Sequence, residues 1–190
     1  MNSMLRQFSA RSAATVALTV TLMTVPALSG AGPALAAPAA AAASTGPTNI
    51  GTFKDWTAWT GNDSTGLICY ISAEPTSSKP TGVNRDPVHF LVVHRKGLGT
   101  RNEVQTLIGY PLKKDGKPSA AIDGKSYPMI ADGSGAWLAS AGDEAGFVAA
   151  LKKGSQLVVK GTSQRGTDTT DTYSLAGVTA AMDAIDKACS

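Results

Sequence analysis

Side chains that carry chemistry are scarce in this chain of 190 residues, which has two cysteines and two histidines. His89 and His94 lie in one apolar run typical of a β-strand, at positions of opposite parity. Side chains of opposite parity point to opposite faces of a strand, so the two histidines cannot share a metal ion. A zinc site built on the two cysteines would need two further ligands. The sequence therefore predicts no metal site and no cofactor.

The sequence motifs of the common catalytic classes are also missing. There is no P-loop, no dinucleotide-binding fingerprint, no H-E-x-x-H and no G-x-S-x-G. Three Asp-Gly pairs occur without the spacing of an EF-hand calcium loop, and hairpin turns explain them. The sequence predicts that the protein is not an enzyme. The alternative is an exported hydrolase with an unrecognised site that uses His89 or His94.

An excess of one charge is nearly absent. The formal net charge of +3 includes Arg6 and Arg11 near the N-terminus, so a chain that has lost its first residues is close to neutral. The densest basic pairs, Lys113-Lys114 and Lys152-Lys153, have no aromatic residues interleaved with them. A nucleic-acid-binding surface needs a basic patch or stripe. We therefore expect no binding to nucleic acid.

A single long apolar run, residues 13–28, raises the question of a membrane. It follows two arginines and precedes Ala34-Leu35-Ala36, which fits the small-x-small rule for cleavage. This order predicts a signal peptide over residues 1–36; Ala41-Ala42-Ala43 is a second candidate cleavage site and an uncleaved anchor is the alternative. The mature protein is then expected in the periplasm, secreted or at the cell surface, with no transmembrane segment.

The composition after the predicted cleavage site changes twice. Residues 37–50 are rich in alanine and proline, which predicts a flexible linker. Residues 51–190 have the composition of an ordinary globular domain, and about 140 residues suit a single domain with a modest core.

Short strand-like segments dominate this domain. Residues 66–71, 88–95 and 103–110 are rich in β-branched and aromatic side chains, and two further strands are predicted at 156–162 and 169–173. The Asp-Gly pairs at 115, 123 and 132 recur at hairpin spacing between short apolar runs. The expected fold class is mainly β, with short antiparallel strands.

Two helices are predicted, a short one near 143–153 and a C-terminal one near 175–188. The first has acidic residues in its first turn, and Lys152-Lys153 precede Gly154 at its end, which suits the helix dipole. Ser174 is the expected N-cap of the second. Its apolar residues step by three and four and share one face: Leu175, Val178, Met182, Ile185 and Cys189.

Both cysteines belong to the mature chain, and an even number of cysteines in an oxidising compartment predicts a disulfide. Because Cys189 lies on the apolar face of the C-terminal helix, a Cys69–Cys189 bond would join that helix to an early strand. Two buried free thiols are the alternative.

Aromatic residues make up only 6% of the chain, so each is informative. Trp56, Trp59 and Trp137, together with Tyr70, are the candidates for a contact surface. Trp56 and Trp59 have opposite parity along a strand, so one of them is expected to be exposed. Packing in the core and at the sheet edges is the alternative interpretation.

The domain resembles the invasion-associated locus B family of exported alphaproteobacterial proteins, from about Phe53 to Cys189. The order and spacing of six segments carry this resemblance: Phe53-Lys54-Asp55-Trp56, Cys69-Tyr70-Ile71-Ser72, 109–112, 121–124, 154–163 and 172–181. The resemblance implies an antiparallel β-sandwich-like domain that is exported to the periplasm or cell surface. In pathogenic members it implies a role in the invasion of host cells.

The resemblance supplies no catalytic residues, and the chain departs from the family at its cysteines. Many members have a cysteine shortly after the first tryptophan and a Gly-Cys pair in the middle, where this chain has Thr60 and Gly135-Ala136. We therefore expect an exported, non-enzymatic protein that acts by contact with an unknown protein or envelope component. A structural or stress-protective envelope component is the alternative.

Overall fold

The computed structural model describes residues 46–190. The signal peptide predicted over 1–36, and residues 37–45 of the predicted linker, lie outside the described residues. The described part is rich in strands, and its elements follow one another in this order: β1 Thr48–Phe53, β2 Trp56–Asp63, β3 Gly66–Ala73, β4 Ser77–Lys79, β5 His89–Arg95, β6 Thr100–Leu107, β7 Ser119–Ile122, β8 Lys125–Asp132, β9 Gly135–Leu138, α1 Glu144–Lys153, β10 Gln156–Thr162, β11 Asp168–Ser174 and α2 Val178–Ala188.

The strands form one continuous antiparallel sheet that turns a corner at β8. Residues 125–128 of β8 pair with β7, whereas residues 129–132 pair with β9. We call β1-β2-β3-β5-β6-β9-β8 the front sheet and β8-β7-β10-β11-β4 the back sheet. Side chains of both sheets meet in one hydrophobic core, which is the arrangement of a sandwich. The prediction of a mainly β, antiparallel fold with two helices is confirmed.

Aromatic side chains from both sheets and from α1 meet at the centre of this core. Phe90 of the front sheet packs edge-on against Tyr173 of the back sheet, with ring centroids 5.9 Å apart. Phe147 of α1 stacks on Phe90 at 5.9 Å and meets the edge of Tyr127 at 4.8 Å. Because such rings bury large apolar areas, this cluster joins the two sheets and the helix into one packing unit.

The predicted linker extended too far into the domain. Strand β1 begins at Thr48 and pairs antiparallel with β2, so residues 48–50 belong to the sheet. This strand lies at the edge of the front sheet, and Thr48, Asn49 and Ile50 are exposed. An exposed edge strand needs no alternation of apolar residues, which is why its sequence resembles a linker.

The two helices form where they were predicted, but α2 begins three residues later than expected. Ser174 ends β11, where it pairs with Gln156, and does not cap the helix. Gly177 precedes the helix with a φ of 94°, and a Cβ there would lie 1.9 Å from the carbonyl oxygen of Phe53. Only glycine fits this close approach of α2 to β1.

The apolar stripe of α2 is buried as predicted, including Cys189. Cys69 and Cys189 form a disulfide, with their Cα atoms 6.0 Å apart, so the prediction of this bond is confirmed. The disulfide ties the end of α2 to the middle of β3. Neither helix between residues 46 and 190 is long and apolar enough to cross a membrane.

Two of the three Asp-Gly pairs turn hairpins. Asp123-Gly124 connects β7 to β8, and Asp132-Gly133 lies at the turn from β8 to β9. Asp123 has a φ of 46°, and its carboxylate also accepts hydrogen bonds from the backbone N–H groups of Ser155 and Gln156. Asp115-Gly116 lies in an irregular segment before β7, so the hairpin prediction for this pair is wrong.

Candidate contact surface

The three tryptophans lie in two different environments. Trp56 is fully buried on the inner face of β2, where its indole N–H donates to the carbonyl oxygen of Ser174 at 2.9 Å. Trp59 and Trp137 are half-buried on the outer face of the front sheet. The expectation that Trp56 and Trp59 face opposite ways is confirmed. Trp56 belongs to the core, and its inclusion in a contact surface was wrong.

The outer face of the front sheet presents a continuous set of apolar side chains. Strand register places Trp59 beside Tyr70. Leu91 pairs with Gln105, and Gln105 pairs with Trp137, so these three residues form one row across the sheet. Ile130 pairs with Trp137 at the end of that row. We call this surface the aromatic face and define it by six residues: Trp59, Tyr70, Leu91, Leu107, Ile130 and Trp137.

The aromatic pair at one end of this face is held in place by its neighbours. The rings of Trp59 and Tyr70 stack with their planes 16° apart, and their centroids are separated by 6.2 Å. The indole N–H of Trp59 donates to the Ser72 hydroxyl at 3.0 Å. Burial raises the pKa of Tyr70 above its usual value, so this side chain presents a neutral hydroxyl at physiological pH.

The other end of the face is the most exposed. Ile130 is 59% exposed and Leu107 is 41% exposed. Both side chains lie near Trp137, because β6, β9 and β8 are adjacent in the sheet. Contiguous exposed apolar surface of this kind marks interaction sites in soluble proteins.

Charged side chains beside the face neutralise one another. Arg95 donates from Nη1 to Asp63 at 2.5 Å and from Nε to Glu103 at 3.1 Å. The hydrogen bond with Glu103 raises the pKa of Arg95, while hydrogen bonds from Thr65 lower the pKa of Asp63. This network presents paired charges of both signs on the outer face of the front sheet, in the row next to Leu91 and Trp137.

The two histidines do not form a catalytic arrangement with a nucleophile. His94 is buried, with Nε2 2.9 Å from Asp186 Oδ1, and its Nδ1 accepts a hydrogen bond from the backbone N–H of Asn102. Both ring nitrogens are therefore already bonded, and neither is free to activate a nucleophile. His89 lies half-buried on the opposite face of β5. Within residues 46–190, no three His, Cys, Asp or Glu side chains gather as a metal site.

A model of the family described as Invasion associated locus B (IalB) protein matches residues 56–186. The chain belongs to this family. The match covers all six residues of the aromatic face and ends within α2, three residues before Cys189. A search of curated proteins finds no match to the chain.

A solved structure supports the same fold for this IalB family member. The crystal structure of invasion associated protein B from Bartonella henselae superposes with a TM-score of 0.52 at 14% sequence identity. The likeness covers 73% of this chain and 96% of the Bartonella chain. At so low an identity, the superposition establishes the shared fold and leaves function to be argued from the surface.

The sequence of this IalB family member indicated only part of the aromatic face. Trp59, Tyr70 and Trp137 were candidates because aromatic residues are few. Leu91, Leu107 and Ile130 were missed, although Leu91 and Leu107 each occupy an outward position in a predicted strand. Strand order was the missing information, since β9 lies between β6 and β8 and so brings Trp137 and Ile130 beside the outward residues of β6.

Proposed function

We propose that the mature chain is an exported, non-enzymatic protein that acts by docking the aromatic face onto an apolar surface of a partner protein in the cell envelope. The observation that carries this proposal is the continuity of that face from the Trp59–Tyr70 pair to the exposed Ile130. Tyrosine and tryptophan are enriched at protein interfaces, and charged residues are depleted at their centres. The aromatic face has this composition.

The chemistry of the face favours a neutral, apolar partner surface. In the row that contains Leu91 and Trp137 the polar side chains are uncharged: Thr57, Ser72 and Gln105. Glu103 lies in the neighbouring row, next to Val93. The nearby charges of Arg95, Asp63 and Glu103 are paired with one another, so the face offers little attraction to a strongly charged partner. Burying the exposed side chain of Ile130 would be favourable by about 1–2 kcal/mol, which suits a central contact.

Export is the second part of the proposal. The predicted signal peptide over residues 1–36, the Cys69–Cys189 disulfide and the family membership all favour an oxidising compartment outside the cytoplasm. We expect the mature chain to begin at Ala37. Amino-terminal sequencing of the protein from a periplasmic or culture fraction tests this, and an N-terminus that retains residues 1–36 contradicts it.

A pair of substitutions tests the docking surface. Ile130→Lys places a charge on the aromatic face, whereas Leu98→Lys places the same charge on a leucine that is 58% exposed but outside the face. Both residues are exposed, so both variants are expected to keep the circular dichroism spectrum of the wild type. Cross-linking in intact cells, followed by mass spectrometry, should recover the same partner with the wild type and Leu98→Lys and lose it with Ile130→Lys.

The possible results separate the competing explanations. Equal recovery with both variants contradicts docking through the aromatic face. Cross-linking to a second copy of this chain that is abolished by Ile130→Lys would show that the aromatic face mediates self-association and does not bind a different protein.

The two candidate biological roles are distinguished in a deletion strain complemented with each variant. Loss of host-cell entry with Ile130→Lys alone supports a contact role like that implied by the family's name. Survival under envelope stress that is lost in the deletion strain and restored by both variants supports a structural or protective role.

A further inference from the structure

A second surface, on the back sheet, has a different chemistry. A groove of about 530 Å³ lies between residues 83–85, the segment Tyr110-Pro111 and the turn that joins β10 to β11. Its volume is within the range of small-molecule sites. The groove is lined by Val83, Asn84, Arg85, Tyr110, Pro111, Ser163, Gln164, Arg165, Thr167 and Thr169. We propose that this groove binds a sugar unit that carries a carboxylate or phosphate group.

The walls of the groove are held in place before any ligand binds. The backbone N–H of Gln164 donates to the carbonyl oxygen of Pro111 at 3.0 Å, which joins the turn to the opposite segment. Within the turn, Ser163 and Thr167 are linked by hydrogen bonds between their backbones and from the Thr167 N–H to the Ser163 hydroxyl. A preformed site loses little conformational entropy on binding, which favours a ligand as small as a sugar.

The floor of the groove is built on a buried ion pair. Asp171 is fully buried and accepts hydrogen bonds from both terminal nitrogens of Arg85 and from the hydroxyl of Ser78. The charge of Arg85 is therefore already balanced. The hydroxyl of Tyr110 is also engaged, at 2.6 Å from Thr169 Oγ1. These contacts fix the floor and leave recognition to the rim.

The rim carries the charge that selects an anion. Arg165 forms no ion pair and no side-chain hydrogen bond with any residue between 46 and 190. No lining residue is acidic, so nothing in the groove competes for its guanidinium. An arginine fork binds a carboxylate or phosphate through two parallel hydrogen bonds.

The remaining lining residues suit a sugar ring. Asn84, Gln164 and Thr167 offer amide and hydroxyl groups that donate to and accept from sugar hydroxyls. Val83, Tyr110 and Pro111 offer apolar surface for the C–H face of the ring. A bare inorganic anion would use Arg165 alone and leave the rest of the groove empty.

Four probes test the proposal by amide chemical-shift perturbation of the mature chain: glucuronic acid, glucose 6-phosphate, glucose and inorganic phosphate. At least one of the two anionic sugars should shift the amides of residues 83–85, Tyr110 and 163–167. The other two probes should bind at least about tenfold more weakly, because each lacks one half of the recognised chemistry. Comparing the two anionic sugars distinguishes a carboxylate from a phosphate site.

Substitutions assign the binding to the groove. Arg165→Gln should weaken the binding of the anionic sugar by about tenfold or more. Asn84→Ala, on the opposite wall of the groove, should also weaken this binding. Lys160→Gln removes a positive charge from an exposed position of the same hairpin, outside the groove, and should leave the affinity for the anionic sugar nearly unchanged. No perturbation by either anionic sugar, perturbation outside the groove, equal binding of glucose or inorganic phosphate, or equal effects of Arg165→Gln and Lys160→Gln would each overturn the proposal.

Discussion

Buried polar residues are few between residues 46 and 190: His94, Thr106, Thr169 and Asp171 are each hydrogen-bonded, whereas the buried hydroxyl of Tyr173 has no hydrogen-bond partner. Asp171 holds Arg85 and Ser78, while His94 lies between Asp186 and the backbone of Asn102. The partners stand between 8 and 93 positions away along the chain. The spacing of these residues along the sequence does not predict that they pair.

Asp171→Asn is expected to lower the free energy of unfolding by about 3–5 kcal/mol, because it leaves the guanidinium of Arg85 buried without a counter-charge. Urea denaturation measures the loss. The matched control is Asp168→Asn, which changes an exposed carboxylate in the same strand and should cost much less. Replacing both partners, with Arg85→Met and Asp171→Leu, should restore part of the stability; equal stability of the two single aspartate variants would contradict the argument.

Asp186 should make stability sensitive to acid. Burial alone would raise the pKa of Asp186, but hydrogen bonds from His94 and Arg101 outweigh it and hold the pKa below its usual value of 3.8. A depressed pKa in the folded state adds stability at pH values above the unfolded pKa, and this stability is lost as pH falls through the folded pKa. Because the side chain is 39% exposed, the contribution is below about 1 kcal/mol.

The expected signature is a difference in Tm between the wild type and Asp186→Asn that is present at pH 6 and shrinks below about pH 4. Thermal unfolding followed by circular dichroism at several pH values measures it. Asp183→Asn is the control, since this carboxylate on the same helix is 67% exposed and, within residues 46–190, pairs with Lys152 alone. A Tm difference that stays constant from pH 6 to pH 3 would exclude the assigned role of Asp186.

The elements of the fold depend unequally on their own sequences. Helix α1 follows from its charges and its glycine stop, and β3 and β5 follow from their β-branched runs. Strand β1 and the start of α2 depend on neighbours: β1 pairs along β2, and α2 starts where Gly177 passes the Phe53 carbonyl. Local patterns therefore predicted the elements that bury their own apolar faces, and missed the boundaries set by contacts between elements.

Reduction of the disulfide should loosen α2 first. The bond closes a loop with a sequence separation of 120, for which the chain-entropy model gives an upper figure of about 5 kcal/mol. We expect the reduced protein, and a variant with both Cys69→Ala and Cys189→Ala, to unfold at lower urea concentration and to exchange the amides of α2 faster than those of β10. Superimposable unfolding curves for oxidised and reduced protein would refute this.

The two sheets share one core, so we expect the domain to unfold as a single cooperative unit. Phe147 contacts Phe90 of the front sheet and Tyr127 of the strand that belongs to both sheets. Phe147→Ala should lower the free energy of unfolding by about 3–5 kcal/mol, with Phe147→Leu costing less. In both variants, tryptophan fluorescence and far-ultraviolet circular dichroism should report the same transition; two separated transitions would show that the sheets unfold independently.

The aromatic face and the groove also belong to the assembled molecule. The aromatic face combines residues from β2 to β9, and the groove brings residue 85 beside residue 165. Each surface is made by bringing together segments that are distant along the chain. Their separation on different sheets makes the two proposals independently testable, because Ile130→Lys and Arg165→Gln alter different surfaces.

Hydrophobic periodicity, turn residues and the even number of cysteines were sufficient to predict a mainly β domain, two helices, and a Cys69–Cys189 bond. The strands and helices follow from local sequence patterns, and the disulfide follows from the apolar face that the C-terminal helix must bury. The amino-acid sequence alone therefore determines these features. The sequence also indicated that Trp56 and Trp59 diverge, because strand parity is a local property. Which of the two is buried depends on the packing of the back sheet and α1 against the inner face of the front sheet. The outer row from Leu91 to Ile130 likewise arises from strand order, and the Arg85–Asp171 pair arises from the contact of the segment between β4 and β5 with β11. Both are decided only when the sheets assemble around their common core.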